Sequence, residues 1–162
     1  GLVALFTSLG AQDSQAQSRA KYMSLENCPV HEQPTNQDED WIILRCAGYG
    51  DVGFLLMYGD AREWPKLYKN GWERDFYSEV MSQSRGHFPG FGAKVVEFRY
   101  RQKNRPHALI FRINSDNPNT SGGYSDLFVA RIGNTPNETC IIGVVRTNSA
   151  AADLADSGAR CY

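Results

Sequence analysis

Val96-Glu97-Phe98-Arg99-Tyr100-Arg101 is the stretch that decides the fold. Apolar Val96, Phe98 and Tyr100 alternate with charged Glu97, Arg99 and Arg101, a period of two that gives an extended strand one buried face. Beyond Pro106, Leu109, Phe111 and Ile113 repeat the pattern. Further on, residues 127–132 read as a strand, and the almost continuous apolar run over 139–145 predicts a central one. Upstream, Trp41-Ile42-Ile43-Leu44-Arg45-Cys46 has strand composition, and residues 54–58 form a second such run. Gly59-Asp60 and Asn70-Gly71 are turn signals, the latter the strongest hairpin signal in the chain. Residues 72–82 suit helix or strand. Residues 84–92, with Gly86, Pro89, Gly90 and Gly92, read as a loop, as do 116–123, the polar connector 12–21 and the amide- and acid-rich 32–40.

Thr147-Asn148-Ser149 offers an N-cap, so a helix is predicted over 149–160. Leu154, Gly158 and Cys161 then share one face. A strand from Cys140 to Thr147 travels roughly 23 Å, and a helix from Asn148 to Cys161 returns roughly 20 Å. The matched lengths set Cys161 above Cys140. Cys28 and Cys46 remain as the second pair, each bridge closing about 20 residues and worth roughly 3 kcal/mol in the chain-entropy model. The expected fold is α+β: an antiparallel sheet of about five or six strands with the C-terminal helix on one face and two disulfides.

At 162 residues the chain has the length of one domain, assigned here to 19–162. Four cysteines, an even number without a CxxC, argue against a zinc ribbon or thioredoxin-type motif and for an oxidising compartment. The net charge of −1 removes the electrostatic case for nucleic acid. Residues 1–18 begin with an apolar run, Leu2-Val3-Ala4-Leu5-Phe6 through Leu9-Gly10-Ala11, and continue through Ser14-Gln15-Ala16. They read as the end of a secretory signal or as a retained segment that docks on a membrane or partner, too short to span a bilayer.

The chain resembles a loose group of small secreted alphaproteobacterial proteins of unassigned function. The residues that carry the likeness are Tyr22, Leu25 and Cys28; Cys46, Gly48, Tyr49 and Gly50; Gly59, Asp60 and Arg62; Glu97 and Arg99; Arg105, Pro106, Ala108 and Ile110; and Cys140 with Cys161. The resemblance covers residues 20–162 and implies a periplasmic or secreted location. It transfers no catalytic residue.

No catalytic constellation, metal site or cofactor site is expected. His31, His87 and His107 lack partners at ligand spacing, there is no Gly-x-Ser-x-Gly elbow, and Asp38-Glu39-Asp40 reads as a solvated charge run. The aromatics between residues 64 and 91 are the main binding candidates, because turn-borne aromatics suit an interface. Trp64, Tyr68, Trp72, Phe76, Phe88 and Phe91 are therefore assigned to a partner surface, together with Arg99 and Arg101 from the stripe Arg99, Arg101, Lys103, Arg105. The function expected is that of an exported, non-enzymatic binding protein with a protein partner in the envelope, as an accessory subunit of a membrane or envelope complex or as an inhibitor. The rival reading is a small hydrolase using His87 and a loop carboxylate.

Overall fold

A computed structural model describes Gly1, Val3 and residues 16–162. Of the segment 1–18, in which a signal or anchor is expected, residue 2 and residues 4–15 lie outside the described residues. In chain order the strands are β1 (Arg19–Ser24), β2 (Val30–Glu32), β3 (Trp41–Tyr49), β4 (Val52–Gly59), β5 (Arg62–Lys69) and β6 (Trp72–Asp75). Helix α1 (Tyr77–Gln83) follows, then β7 (His87–Phe91), β8 (Val95–Gln102), β9 (Arg105–Asp116), β10 (Gly123–Arg131), β11 (Cys140–Val145) and helix α2 (Asn148–Ala155).

The strands form two antiparallel sheets. One is a five-stranded meander, β2-β3-β4-β5-β6; the other has six strands in the order β1-β8-β9-β10-β11, with β7 also paired to β9. Asn70 and Gly71 both take positive φ, 47° and 82°, the two-residue turn that matches the twist of the β5–β6 hairpin. The α+β class, the C-terminal helix and both disulfides are as expected, but the strands are divided between two sheets rather than one.

The inner faces of the sheets share one core, with Phe54, Leu56 and Leu67 from the meander against Phe98, Phe111 and Phe128 from the larger sheet. Phe54, Phe98 and Phe128 are wholly buried, each contributing roughly 2–3 kcal/mol. On the far side of the larger sheet, α2 lays Ala151 and Ala155 onto Ala108, Ile110, Leu127 and Val129. Leu154 fills the space over Gly143, where an added Cβ would lie 2.5 Å from its Cδ2. The Thr147 hydroxyl caps α2 by accepting the Ala150 N–H at 3.2 Å.

Several local expectations change. Residues 72–82 are both things in succession, strand β6 and then α1. The connector 12–21 ends inside β1, and the loop 84–92 contains β7, whose bulged register with β9 hides it from a period-two reading. The run 139–145 is an edge strand, apolar because the core touches Ile141 and Val144 while the α2 cluster touches Ile142 and Val145. The helix predicted to reach residue 160 stops at Ala155, and Gly158 at φ +75° turns the tail so that Cys161 meets Cys140 from beyond the helix.

Candidate binding surfaces

The outer face of the five-stranded sheet follows from register. Leu44, Cys46, Phe54, Leu56 and Leu67 point into the core, so the alternate residues point out. Paired across the strands on that face are Trp41 with Gly59, Ile43 with Met57 and Trp64, and Arg45 with Leu55. Tyr68 lies flat over Gly53, where a Cβ would meet its ring at 1.9 Å. The Tyr68 hydroxyl accepts Arg45 Nε–H at 3.2 Å. Trp41 and Trp64 flank Gly59, 3.6 and 3.7 Å from where its Cβ would stand. Helix α2 packs on the other sheet, whereas this face carries Trp41, Ile43, Met57 and Trp64 at intermediate exposure beside the buried Leu55, and α1 reaches only its β5 margin, where Tyr77 meets Trp64.

Trp64 stacks edge-on against Tyr77 with ring centroids 4.7 Å apart. Phe88 is 47% exposed at φ +51°, a conformation costly for a bulky side chain, and the Arg62 guanidinium lies 4.9 Å from its ring. Arg62, Tyr77 and Phe88 share the wall of a hollow of about 350 Å³. Trp72 lines a separate cleft of about 270 Å³ with Arg45, Leu55 and Tyr68.

Four of the assigned partner residues do not stand on an available surface. Phe76 is fully buried, with Arg74 against its ring. Phe91 packs between Phe54 and Phe111, at centroid distances of 6.1 Å to each, and its N–H is accepted by Glu63 Oε1. Burial raises the Glu63 pKa, against the lowering effect of that N–H. Arg99 is bound within the molecule by Glu97 Oε2 at 3.0 Å and Asp156 Oδ2 at 2.6 Å, and Arg101 donates to the Asp156 carbonyl at 2.9 Å. The alternating strand did point these arginines outward, but onto the side that receives the end of α2.

Comparison with protein-family models, with curated proteins and with solved structures finds no match.

The arginines belong to a polar cluster that the sequence did not reveal, because its members are far apart in the chain. Asp156 Oδ1 accepts Ser18 Oγ–H at 2.7 Å and lies 2.8 Å from His107 Nε2. Burial pushes the Asp156 carboxyl up, but hydrogen bonds from Arg99, Ser18 and His107, with the Arg99 charge, hold its pKa at about 2. Burial lowers the His107 pKa, helped by the Arg101 and Arg99 charges and opposed by Asp156. A nucleophilic triad needs the hydroxyl on the imidazole; here both bond the carboxylate, so the cluster fastens the entry of β1 to the end of α2. His87 is exposed, touches Phe88 edge-on, and makes no side-chain hydrogen bond among the described residues, so nothing orients it as a base.

The two sides where the sheets meet differ. Along the β5–β6 hairpin, Lys69 Nζ at the end of β5 donates to the Gly133 carbonyl at 3.1 Å, and from β6 Trp72 Nε1 donates to the Asn134 carbonyl at 3.0 Å and Arg74 Nε to the Thr139 carbonyl at 2.8 Å. This seam is closed by hydrogen bonds. Along β1 the links are the Cys28–Cys46 disulfide and the Gly48 N–H on Met23 Sδ at 3.0 Å. A hollow of about 690 Å³ lies there, lined by Lys21, Tyr22, Met23 and Ser24 on one side and residues 45–48 on the other.

Two disulfides indicate an oxidising environment of the kind exported proteins meet, and no helix among the described residues is long and apolar enough to cross a membrane.

Proposed function

We propose that this chain is a non-enzymatic binding protein of the periplasm or the secreted space, docking a protein partner on the outer face of its five-stranded sheet. It serves there as an accessory subunit of an envelope complex or as an inhibitor. The observation that carries this reading is the run of neighbouring side chains Trp41, half-buried Trp64 and exposed Tyr77, with Arg62 and the exposed Phe88 beside it. Trp, Tyr and Arg are the residues that dominate interface energetics, and monomers rarely leave such a patch without use. The backbone strain at Phe88 supports the same reading, since a bulky residue held at positive φ and half in solvent gains nothing for the core.

Affinity capture from native envelope extracts tests it. Wild-type protein should retain a partner that Trp41→Asp and Phe88→Ala release, while both variants keep the wild-type circular dichroism and melting temperature. Capture that is equal for wild type and variants would overturn the assignment of this face.

A further inference from the structure

We infer that the open seam takes up an extended, acidic peptide segment of a partner protein, added as a strand to the free edge of β1. Strand β1 ends the six-stranded sheet, and no strand among the described residues pairs with its other side. Its register with β8 is regular from Arg19–Tyr100 to Ser24–Val95. The Leu25 N–H donates to the Lys94 carbonyl at 2.7 Å, which makes Leu25–Lys94 a hydrogen-bonded pair. Alternation along an antiparallel ladder then turns Met23, Lys21 and Arg19 toward β8. Ala20, Tyr22 and Ser24 therefore aim their N–H and carbonyl groups away from the sheet, into the side where the hollow lies.

Four consecutive residues of one strand line that hollow. Successive side chains leave opposite faces of a strand, so a cavity touching all four runs along the edge rather than over a face. At about 690 Å³ it has room for backbone as well as side chains. Tyr22 is 62% exposed and Val95 48%, neighbours on the outer face where side chains of an added strand would pack.

Charge selects the occupant. The charged lining residues are Lys21, Glu26 and Arg45. Glu26 is answered by Lys94 at 3.0 Å, while Lys21 and Arg45 have no carboxylate within ion-pair distance among the described residues. Arg19 adds a third cation on the same strand. Cations along an edge discourage self-pairing between copies and favour an acidic strand, and strand addition takes affinity from main-chain bonds and specificity from side-chain charge. The two surfaces share Arg45 and Tyr68 at their border but rest on different anchors, the β1 edge here and Trp41, Trp64 and Phe88 there, so Tyr22→Pro and Phe88→Ala test them independently.

The test selects a displayed library of random seven-residue peptides on the full-length protein, then measures the best peptide by fluorescence anisotropy. Acidic residues at alternate positions are expected to be enriched. N-methylation of alternate peptide amides should weaken binding by at least about tenfold, because it removes the main-chain donors. Tyr22→Pro should do the same with little change in melting temperature, since the Tyr22 N–H makes no bond to β8 and edge strands tolerate proline. Lys21→Glu/Arg45→Glu should reverse the charge preference. No enrichment, a preference for basic peptides, or equal binding by Tyr22→Pro or by the N-methylated peptide would overturn the inference. So would sedimentation as a dimer that Tyr22→Pro dissociates, which would assign the edge to a second copy of this chain.

Discussion

The two seams of this molecule solve one problem in different ways. At the β6 seam, side chains reach across to main-chain carbonyls at 133, 134 and 139, so the segment between β10 and β11 is held along its length. At the β1 seam, a covalent bridge and a sulfur contact join the sheets beside the strand, two hydrogen bonds join the β3–β4 turn to Asn104 at its end, and no strand among the described residues pairs with the outer edge of β1. Hydrogen bonds close a seam by consuming its polar groups. A disulfide holds two points together and consumes none, so a seam that must keep its backbone groups free is better secured by sulfur.

The strongest way to break the contrast is to remove the covalent link. Cys28→Ala/Cys46→Ala should cost about 3 kcal/mol, the chain-entropy value for a bridge that closes about 20 residues. Denaturant unfolding under non-reducing conditions measures it, and a loss below about 1 kcal/mol would mean that the seam is held by packing instead. At the closed seam Lys69→Met should cost about 2 kcal/mol. Lys69 is 7% exposed, and its removal leaves the Gly133 carbonyl without the donor it has there. A neutral result would show that the carbonyl finds water.

Acid sharpens the comparison, because Asp156 ties Ser18, and so the entry to β1, to the end of α2. Its folded pKa of about 2 lies below the usual 3.8, so the unfolded chain takes up the proton first; the stability is present above about pH 3.8 and is lost as pH falls toward 2. The effect is on the order of 2 kcal/mol. His107, whose folded pKa is also lowered, acts in the same direction from about pH 6.5 downward, since the unfolded imidazole is protonated before the folded one. Amide protection in residues 19–24 should therefore fall on acidification before protection in residues 72–75. Asp156→Asn should remove the part of the stability loss below pH 3.8; an unchanged acid profile in that variant would assign the loss to other groups.

Part of this was legible in the sequence. The alternation over Val96–Arg101 located β8, and Asn70-Gly71 located a hairpin, because both signals are local and strictly periodic. The disulfide pairing followed from chain lengths even though α2 stops short, since Gly158 lets the tail cover the remaining distance. Strand β1 was not legible, because Arg19, Lys21 and Ser24 are edge residues whose polarity suits solvent and conceals a strand. Strand β7 was hidden by glycines and by Phe88 at positive φ. Among the aromatics assigned to a partner surface, composition could not separate Trp64, Tyr68, Trp72 and Phe88 from Phe76 and Phe91, whose rings pack into the core. Aromatic side chains serve cores and interfaces alike, and only register says which face each occupies. The Ser18–His107–Asp156 cluster joins residues 138 and 49 positions apart, a separation that local pattern does not register.

The smallest effect is the most direct probe of the closed seam. Trp72→Phe keeps an aromatic ring beside Tyr68 and removes only the indole N–H that the Asn134 carbonyl accepts. The cost should be about 1 kcal/mol, the net value of one exposed or half-buried hydrogen bond. If that bond holds the seam locally, amide exchange should accelerate in residues 133–139 and in β6 but not in β1. The peptide affinity of the β1 edge should stay at the wild-type value, because the two seams lie at opposite ends of each sheet. Acceleration at both seams would mean that the sandwich opens as a unit, and the division of labour between hydrogen bonds and sulfur would then be a difference of construction without a difference in behaviour.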